Sequence, residues 1–361
     1  MKNKFAHGGN IYEAMRKTGG EWLDFSANIN PLGLSLEVKS AIEQAIPFII
    51  HYPDSAGTAL RQSLSEKYGI GEKNIVLGNG AVELLYVLCQ LKRPRRVLIP
   101  SPAFNEYERA ASAAGAKINY LPLDEKDGFK FSLEILEKNF NGEDMLFWGN
   151  PCNPTGILLT LAELEKIAAF TKSHSCYFVI DQSFIDFRED YEKYSAHCLI
   201  EKYPSVMVLH SLTKFYAIPG LRLGFASLNE DDASKMEMLK DQWNVNSLAQ
   251  AAGEAALKDT DYQARSYRKT AENRQYLWSR LKEFPSLKTY EPTVNFILVR
   301  LLSGAINAVK LAEKMRSQHI LIRDCSNYPA LSDEYVRFAI KNKADNDRLL
   351  AALAKILEEV E

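Results

Sequence analysis

Four short stretches of the 361-residue chain concentrate residue types that bind anions or move protons. Gly78-Asn79-Gly80-Ala81-Val82-Glu83 sets two glycines ahead of a helical pattern, and free N–H groups at a helix start can cradle an anion. It is no dinucleotide fingerprint, because Glu83 stands where a third glycine belongs. A plain strand-to-helix turn also accounts for it. Asn150-Pro151-Cys152-Asn153-Pro154-Thr155-Gly156 is stiffened by two Asn-Pro steps, which suits presenting the Asn153 amide to a ligand oxygen. Asp181 closes the apolar run Tyr177–Ile180, a costly place for an acid unless a cation or a proton donor pairs with it. A helix cap is the alternative. Ser211-Leu212-Thr213-Lys214, followed by Arg222, offers hydroxyls, an amine and a guanidinium to one phosphate-bearing ligand. The apolar residues around Lys214 favour its neutral amine, the form that condenses with a carbonyl.

These stretches need a frame that gathers loops at one edge. Between about residues 58 and 227, short apolar runs alternate with helical patterns. Strands are expected at Asn74–Leu77, Arg96–Ile99, Ile118–Leu121, Met145–Trp148, Tyr177–Ile180, Val206–Leu209 and Leu223–Ala226. Helices are expected between them, for example Leu60–Tyr68, Val82–Leu91 and Leu161–Lys172. Nearly continuous apolar strands separated by helices specify a mostly parallel sheet covered on both faces, with ligand sites beyond the carboxyl ends of the strands. All four stretches sit at such ends.

After Asn229 the pattern changes to long helical stretches, 231–258 and 262–283. A β-rich piece (Phe296–Arg300, Ile320–Ile322, Val336–Ala339) and an amphipathic helix, Asn346–Val360, follow. The expected division is 1–45 as an N-terminal arm with part of a small domain, 46–243 as the large domain, and 244–361 as interdomain helices and the rest of the small domain.

Composition narrows the function. A net charge of −2 gives no long-range attraction to nucleic acid or an anionic membrane, so local arginines must attract an anionic substrate. No secretory leader or membrane-spanning run is apparent, and five scattered cysteines without a Cys-x-x-Cys pair read as reduced thiols. The expected setting is cytoplasmic. No metal site is expected.

In order and in spacing the four motifs resemble those of the fold-type I pyridoxal-5′-phosphate (PLP) enzymes of the aminotransferase class I/II superfamily. Asn153, Asp181, Lys214 and Arg222 lie 28, 33 and 8 positions apart, which fits that superfamily. The resemblance covers almost the whole chain. It implies an α/β fold with a seven-stranded, mostly parallel sheet between helices, a smaller α+β domain, and a homodimer with shared sites. It further implies that Lys214 carries the cofactor as a Schiff base and Asp181 pairs with the pyridine nitrogen. Asn153 would bond the ring hydroxyl and Phe104 stack on the ring. The N–H groups of Gly80 and Ala81, with Ser211, Thr213 and Arg222, would hold the phosphate. Tyr52 matches a tyrosine that reaches the neighbouring subunit's cofactor, and Arg337 the arginine that clamps a substrate carboxylate.

The arm refines this. His7-Gly8-Gly9-Asn10 and Asp24–Gly33, with Asn28-Ile29-Asn30-Pro31 inside it, resemble the threonine-phosphate decarboxylases of cobalamin biosynthesis. Their relatives, the histidinol-phosphate aminotransferases, carry an acid where Ile29 stands. Phe184 points the same way, since many aminotransferases have a tyrosine there. Gln182-Ser183 and Cys152 depart from the commoner residues. By this resemblance His7, Gly8, Asn28, Asn153, Arg323 and Arg337 contact a small phosphorylated amino acid, and the enzyme is a carboxy-lyase. The readings left open are a histidinol-phosphate-type aminotransferase, a decarboxylase preferring L-serine O-phosphate, and a non-catalytic PLP-binding regulator. The last would need a DNA-binding domain for which this chain has no spare length.

Overall fold

The computed structural model describes residues 4–359. Seven strands form the main sheet: β1 (Ile75–Asn79), β2 (Arg96–Ser101), β3 (Lys117–Pro122), β4 (Met145–Gly149), β5 (Tyr177–Asp181), β6 (Val206–Ser211) and β7 (Leu223–Ser227). Their order is β1-β7-β6-β5-β4-β2-β3, and only β7 runs antiparallel to its neighbours. Each strand lies where the apolar runs place it, and most extend past them at the carboxyl end, taking in Asn79, Asp181 and Ser211.

Burial on both faces follows from the period of two. In β5, Phe178 and Ile180 pack with Leu60, Leu164 and Ala252 of the helices Thr58–Tyr68, Leu161–Ser173 and Ser247–Lys258. Tyr177 and Val179 face the other way, toward Leu84, Ala110 and Met236 of Ala81–Lys92, Glu106–Ala113 and Glu230–Leu239. Each such Ile or Phe contributes about 1.5–3 kcal/mol of apolar transfer. That anchors the strand whose last residue is an acid.

A second, four-stranded sheet contains β8 (Leu287–Thr289), β9 (Phe296–Leu301), β10 (Arg323–Asp324) and β11 (Tyr335–Ala339), in the order β10-β11-β9-β8. Its core of Ile297, Val299, Val336, Phe338, Leu349 and Leu353 also takes in Phe25 from the N-terminal segment. Leu23–Asp24 pairs in parallel with Ile320–Leu321, so the residues after the first helix, Ile11–Thr18, lie against the smaller sheet and outside the larger one.

Three expectations are corrected. The stretch 231–258 is two helices, Glu230–Leu239 and Ser247–Lys258. The break belongs to asparagines: Asn246 caps the second helix through Ala249 N–H (2.9 Å), and Asn244 Nδ2 donates to Leu77 O (3.1 Å) and Glu83 Oε2 (2.7 Å). The run Ile320–Ile322 splits, one part pairing with the N-terminal segment and the other, through Arg323, joining the smaller sheet. The last helix is Lys343–Glu358 and starts earlier than expected because Asn342 caps it; Val360 lies outside the described residues.

Candidate active site

The carboxyl ends of β1, β2, β4, β5 and β6 open onto one cavity of about 460 Å³. Its walls include His7, Gly8, Asn28, Phe104, Asn153, Asp181, Lys214, Arg222, Arg323 and Arg337, drawn from more than 300 positions of sequence.

Asp181 is buried at the end of β5, where its carboxylate accepts from Tyr107 Oη (2.8 Å) and from the N–H of Ser183 (2.9 Å). Two donors on an acid at a strand end answer the cost of burying it. Lys214 follows β6, with its Nζ donating to Ser211 Oγ (3.0 Å) and lying 5.8 Å from the centre of the Phe184 ring. Desolvation lowers the pKa of this amine to about 8, against a smaller opposing pull from Asp181 and with Arg222 adding to the lowering.

Ser211 and Thr213 share a hydrogen bond (2.8 Å) at the root of the same loop. Gly80, the residue before the helix Ala81–Lys92, has φ 78°, and a Cβ there would lie 2.3 Å from Arg222 Nη2. Glycine is required twice over, for the backbone angle and for the guanidinium laid against it. Gly80 spends its own N–H on Gly78 O (2.8 Å). The cradle is therefore made by the start of the helix itself, where the N–H of Ala81 has no intrahelical partner. Phe104 lies across the cavity, edge-on to Tyr107 with ring centres 5.6 Å apart.

The opposite wall carries cations. Arg323 and Arg337 are direct partners across the β10–β11 ladder, and both are buried. Like charges placed opposite each other are unfavourable until an anion lies between them. Arg337 donates to Ser26 O (2.8 Å) and to Asn153 Oδ1, while its Nε has no partner among the described residues. Tyr328 Oη reaches the same Asn153 oxygen at 3.4 Å, and the Arg323 guanidinium lies 4.9 Å from the Tyr328 ring centre. Asn28 Oδ1 is buried and unpartnered. His7 Nε2 pairs with Glu106 Oε1 at 2.7 Å, its ring 5.5 Å from that of Phe104.

Of the residues singled out from sequence, Tyr52 alone stands apart: it is 77% exposed, stacked on Trp243 with ring centres 4.4 Å apart, and outside the cavity. Gly80, Ala81, Ser211 and Thr213 lie just beneath the walls. Sequence reasoning missed Tyr107, Tyr328, Glu106 and Asn30. Tyr107 follows Phe104 by three positions and carried that weak signal. Asn30 stood inside the Asn28–Pro31 motif without a role assigned to it: its N–H donates to Lys214 O (3.0 Å) and its Nδ2 to Phe215 O (2.8 Å), tying the N-terminal segment to the lysine loop.

A family model described as aminotransferase class I and II matches residues 20–353. The chain is 40% identical over 98% of its length to the threonine-phosphate decarboxylase of Salmonella typhimurium, 96% of which is covered. It is 31% identical to the adenosylcobalamin biosynthesis bifunctional protein CobDQ of Leptospira interrogans, over 97% of this chain and 41% of that longer one. Among solved structures, a histidinol-phosphate aminotransferase from Clostridium acetobutylicum superposes with a TM-score of 0.87 at 31% identity, covering 93% of this chain and 99% of that one. The L-threonine-O-3-phosphate decarboxylase of Porphyromonas gingivalis does so with 0.83 at 28%, with the same coverage of both chains.

The residues present fit PLP. A depressed lysine amine suits its aldehyde, and a buried carboxylate its ring nitrogen. Asn153 suits the ring hydroxyl, and Phe104 offers an aromatic face. Ala81 N–H, two hydroxyls and the Arg222 guanidinium on the glycine-lined shelf suit its phosphate.

Proposed function

The chain belongs to the class I and II aminotransferase family, and from that premise we propose that it is a PLP-dependent lyase. It removes CO2 from L-threonine O-3-phosphate and yields (R)-1-amino-2-propanol O-2-phosphate for cobalamin biosynthesis. The observation that carries this reading is the paired Arg323 and Arg337 facing the Lys214 amine across one cavity, which suits a substrate with two anionic groups and one amine.

PLP, when bound, supplies an electron sink that accepts the pair released from a substrate Cα bond standing perpendicular to its ring. The chain's residues decide which bond that is. Arg337, fixed by Ser26 O and Asn153, takes the carboxylate, and Arg323 takes the second anionic group. Asn28 and Asn153 orient the substrate between them, and His7 with Gly8 covers it from the N-terminal side. Lys214 Nζ, held by Ser211, would carry the cofactor's aldehyde and would be placed to deliver a proton to the carbon that loses CO2. Asp181, fixed by Tyr107 and Ser183, would supply the negative charge that pairs with the cofactor's ring nitrogen.

Two copies of the chain complete each site. Ile46, Phe48, Ile49, Ile50, Tyr52, Met238 and Trp243 are exposed, and such an apolar patch suits burial against a second subunit, with Tyr52 reaching the partner's phosphate site. We place the enzyme in the cytoplasm, divided at 45 and 243 into arm, large and small domains; no helix among the described residues is long and apolar enough to cross a membrane.

Incubation with phosphothreonine, and separately with histidinol phosphate plus 2-oxoglutarate, tests the reading. CO2 from the first and no glutamate from the second is the expected result; the reverse makes the chain an aminotransferase. Phosphoserine differs from phosphothreonine by one methyl group, worth about 1–3 kcal/mol, and belongs in the same assay.

A further inference from the structure

Among the described residues no acid side chain holds Arg323. Its Nη1 donates to Asp324 O (2.6 Å) and its Nη2 to Asn327 Oδ1 (2.7 Å). The Asn327 amide faces the other way as well: Nδ2 donates to Lys4 O and to Ala6 O, both at 3.0 Å. Chemistry fixes this orientation, since a guanidinium only donates and a carbonyl only accepts. A charged donor on Oδ1 also polarises the amide and strengthens the two bonds its nitrogen makes.

The segment so gripped is the irregular stretch Lys4–Gly9, and the other side of the cavity grips it too. Asn105 Nδ2 donates to the same Lys4 carbonyl (3.0 Å), Lys4 Nζ pairs with Glu108, and His7 pairs with Glu106 (2.7 Å). Gly8 is pressed so closely on the Ser26 carbonyl that a Cβ would lie 2.1 Å from its oxygen. One carbonyl, that of Lys4, thus takes a donor from each wall.

We propose that Asn327 is a positioning residue that couples Arg323 to the Lys4–His7 segment, so that an anion gripped by Arg323 is closed over by His7. The inference rests on the phosphorylated-substrate reading above. The side chain does two jobs that variants separate. Asn327→Asp keeps an acceptor for Arg323 and offers no donor to the Lys4 and Ala6 carbonyls, but its negative charge also offsets the guanidinium, so its effect is read against that of the neutral Asn327→Ala. Asn327→Ala loses both.

The test uses PLP-loaded enzyme whose visible absorbance and melting temperature match the parent's. KM for phosphothreonine should rise about tenfold in both variants, the size of effect expected for lost hydrogen bonds beside a charge, with kcat changing less. A second readout is independent of turnover: trypsin release of the first four residues, cut after Lys4, should be slowed by inorganic phosphate in the parent and not in either variant. Parental KM and parental phosphate protection in Asn327→Asp would mean that Asn327 merely buttresses Arg323, and the coupling would be refuted. Parental values in Asn327→Ala would refute it outright. If the parent releases no CO2 from phosphothreonine, the substrate reading fails, while the trypsin comparison still decides the coupling.

Discussion

At position 214 the fold prepares a reagent before any ligand arrives. An ordinary lysine is almost wholly charged at neutral pH, whereas desolvation brings this one to about 8, leaving roughly a tenth of it neutral at pH 7. Because the value is lowered, the amine is charged below about 8 and neutral above it. Capture of PLP by the apoprotein, followed by stopped-flow absorbance, should therefore speed up with rising pH and level off just above 8; a rate that keeps climbing past 9.5 would show an unperturbed lysine. Replacing Lys214 with Ala should abolish turnover, and borohydride should then leave no pyridoxyl label on the chain. Arg337 is a different kind of residue, a buried cation with acceptors on two elements. Arg337→Ala removes a charge-assisted hydrogen bond worth about 1.5–3 kcal/mol. It should raise KM for phosphothreonine by one to two orders of magnitude, and an unchanged KM would remove it from the substrate site.

At the scale of elements, the site is made where regular structure stops. β5 ends on Asp181, β6 on Ser211, and the helix Ala81–Lys92 begins on a glycine that no other residue can replace without moving Arg222. Gly80→Ala should weaken PLP binding at least about tenfold, given a disfavoured backbone conformation worth about 1–3 kcal/mol and a displaced guanidinium. Equilibrium dialysis measures it, and parental affinity would show that the shelf is not used. The strand ends were legible because an apolar run interrupted by Asp or Ser is conspicuous in a parallel sheet. The break near Asn244 was hidden, since helical periodicity runs through it. What interrupts it is a pair of side-chain bonds to β1 and to the helix that follows it, more than 160 positions away.

For the molecule as a whole, the exposed row from Ile46 to Tyr52, with Trp243 against Tyr52, is a departure from a self-sufficient surface. Ile50 is 81% exposed, so Ile50→Asp should leave the subunit folded while weakening association. Sedimentation velocity should show a monomer whose kcat has fallen at least about tenfold; a monomer with full activity would mean that each chain completes its own site.

Period and residue type were enough for seven strands, for the acids, amines and hydroxyls at their carboxyl ends, and for an α/β frame; the PLP-type site came from the family resemblance those motifs carry. Solvent exclusion acts on local patterns, so those patterns carry it. Only the tertiary structure decided what depends on closure between distant segments. The facing of Arg323 and Arg337 comes from an antiparallel register. The service of Asn30 to the lysine loop and of Tyr107 to Asp181 comes from packing, and so does the Lys4 carbonyl shared by Asn105 and Asn327. Hydrogen bonds are short and directional, and partners hundreds of residues apart leave no periodic mark on the chain that makes them.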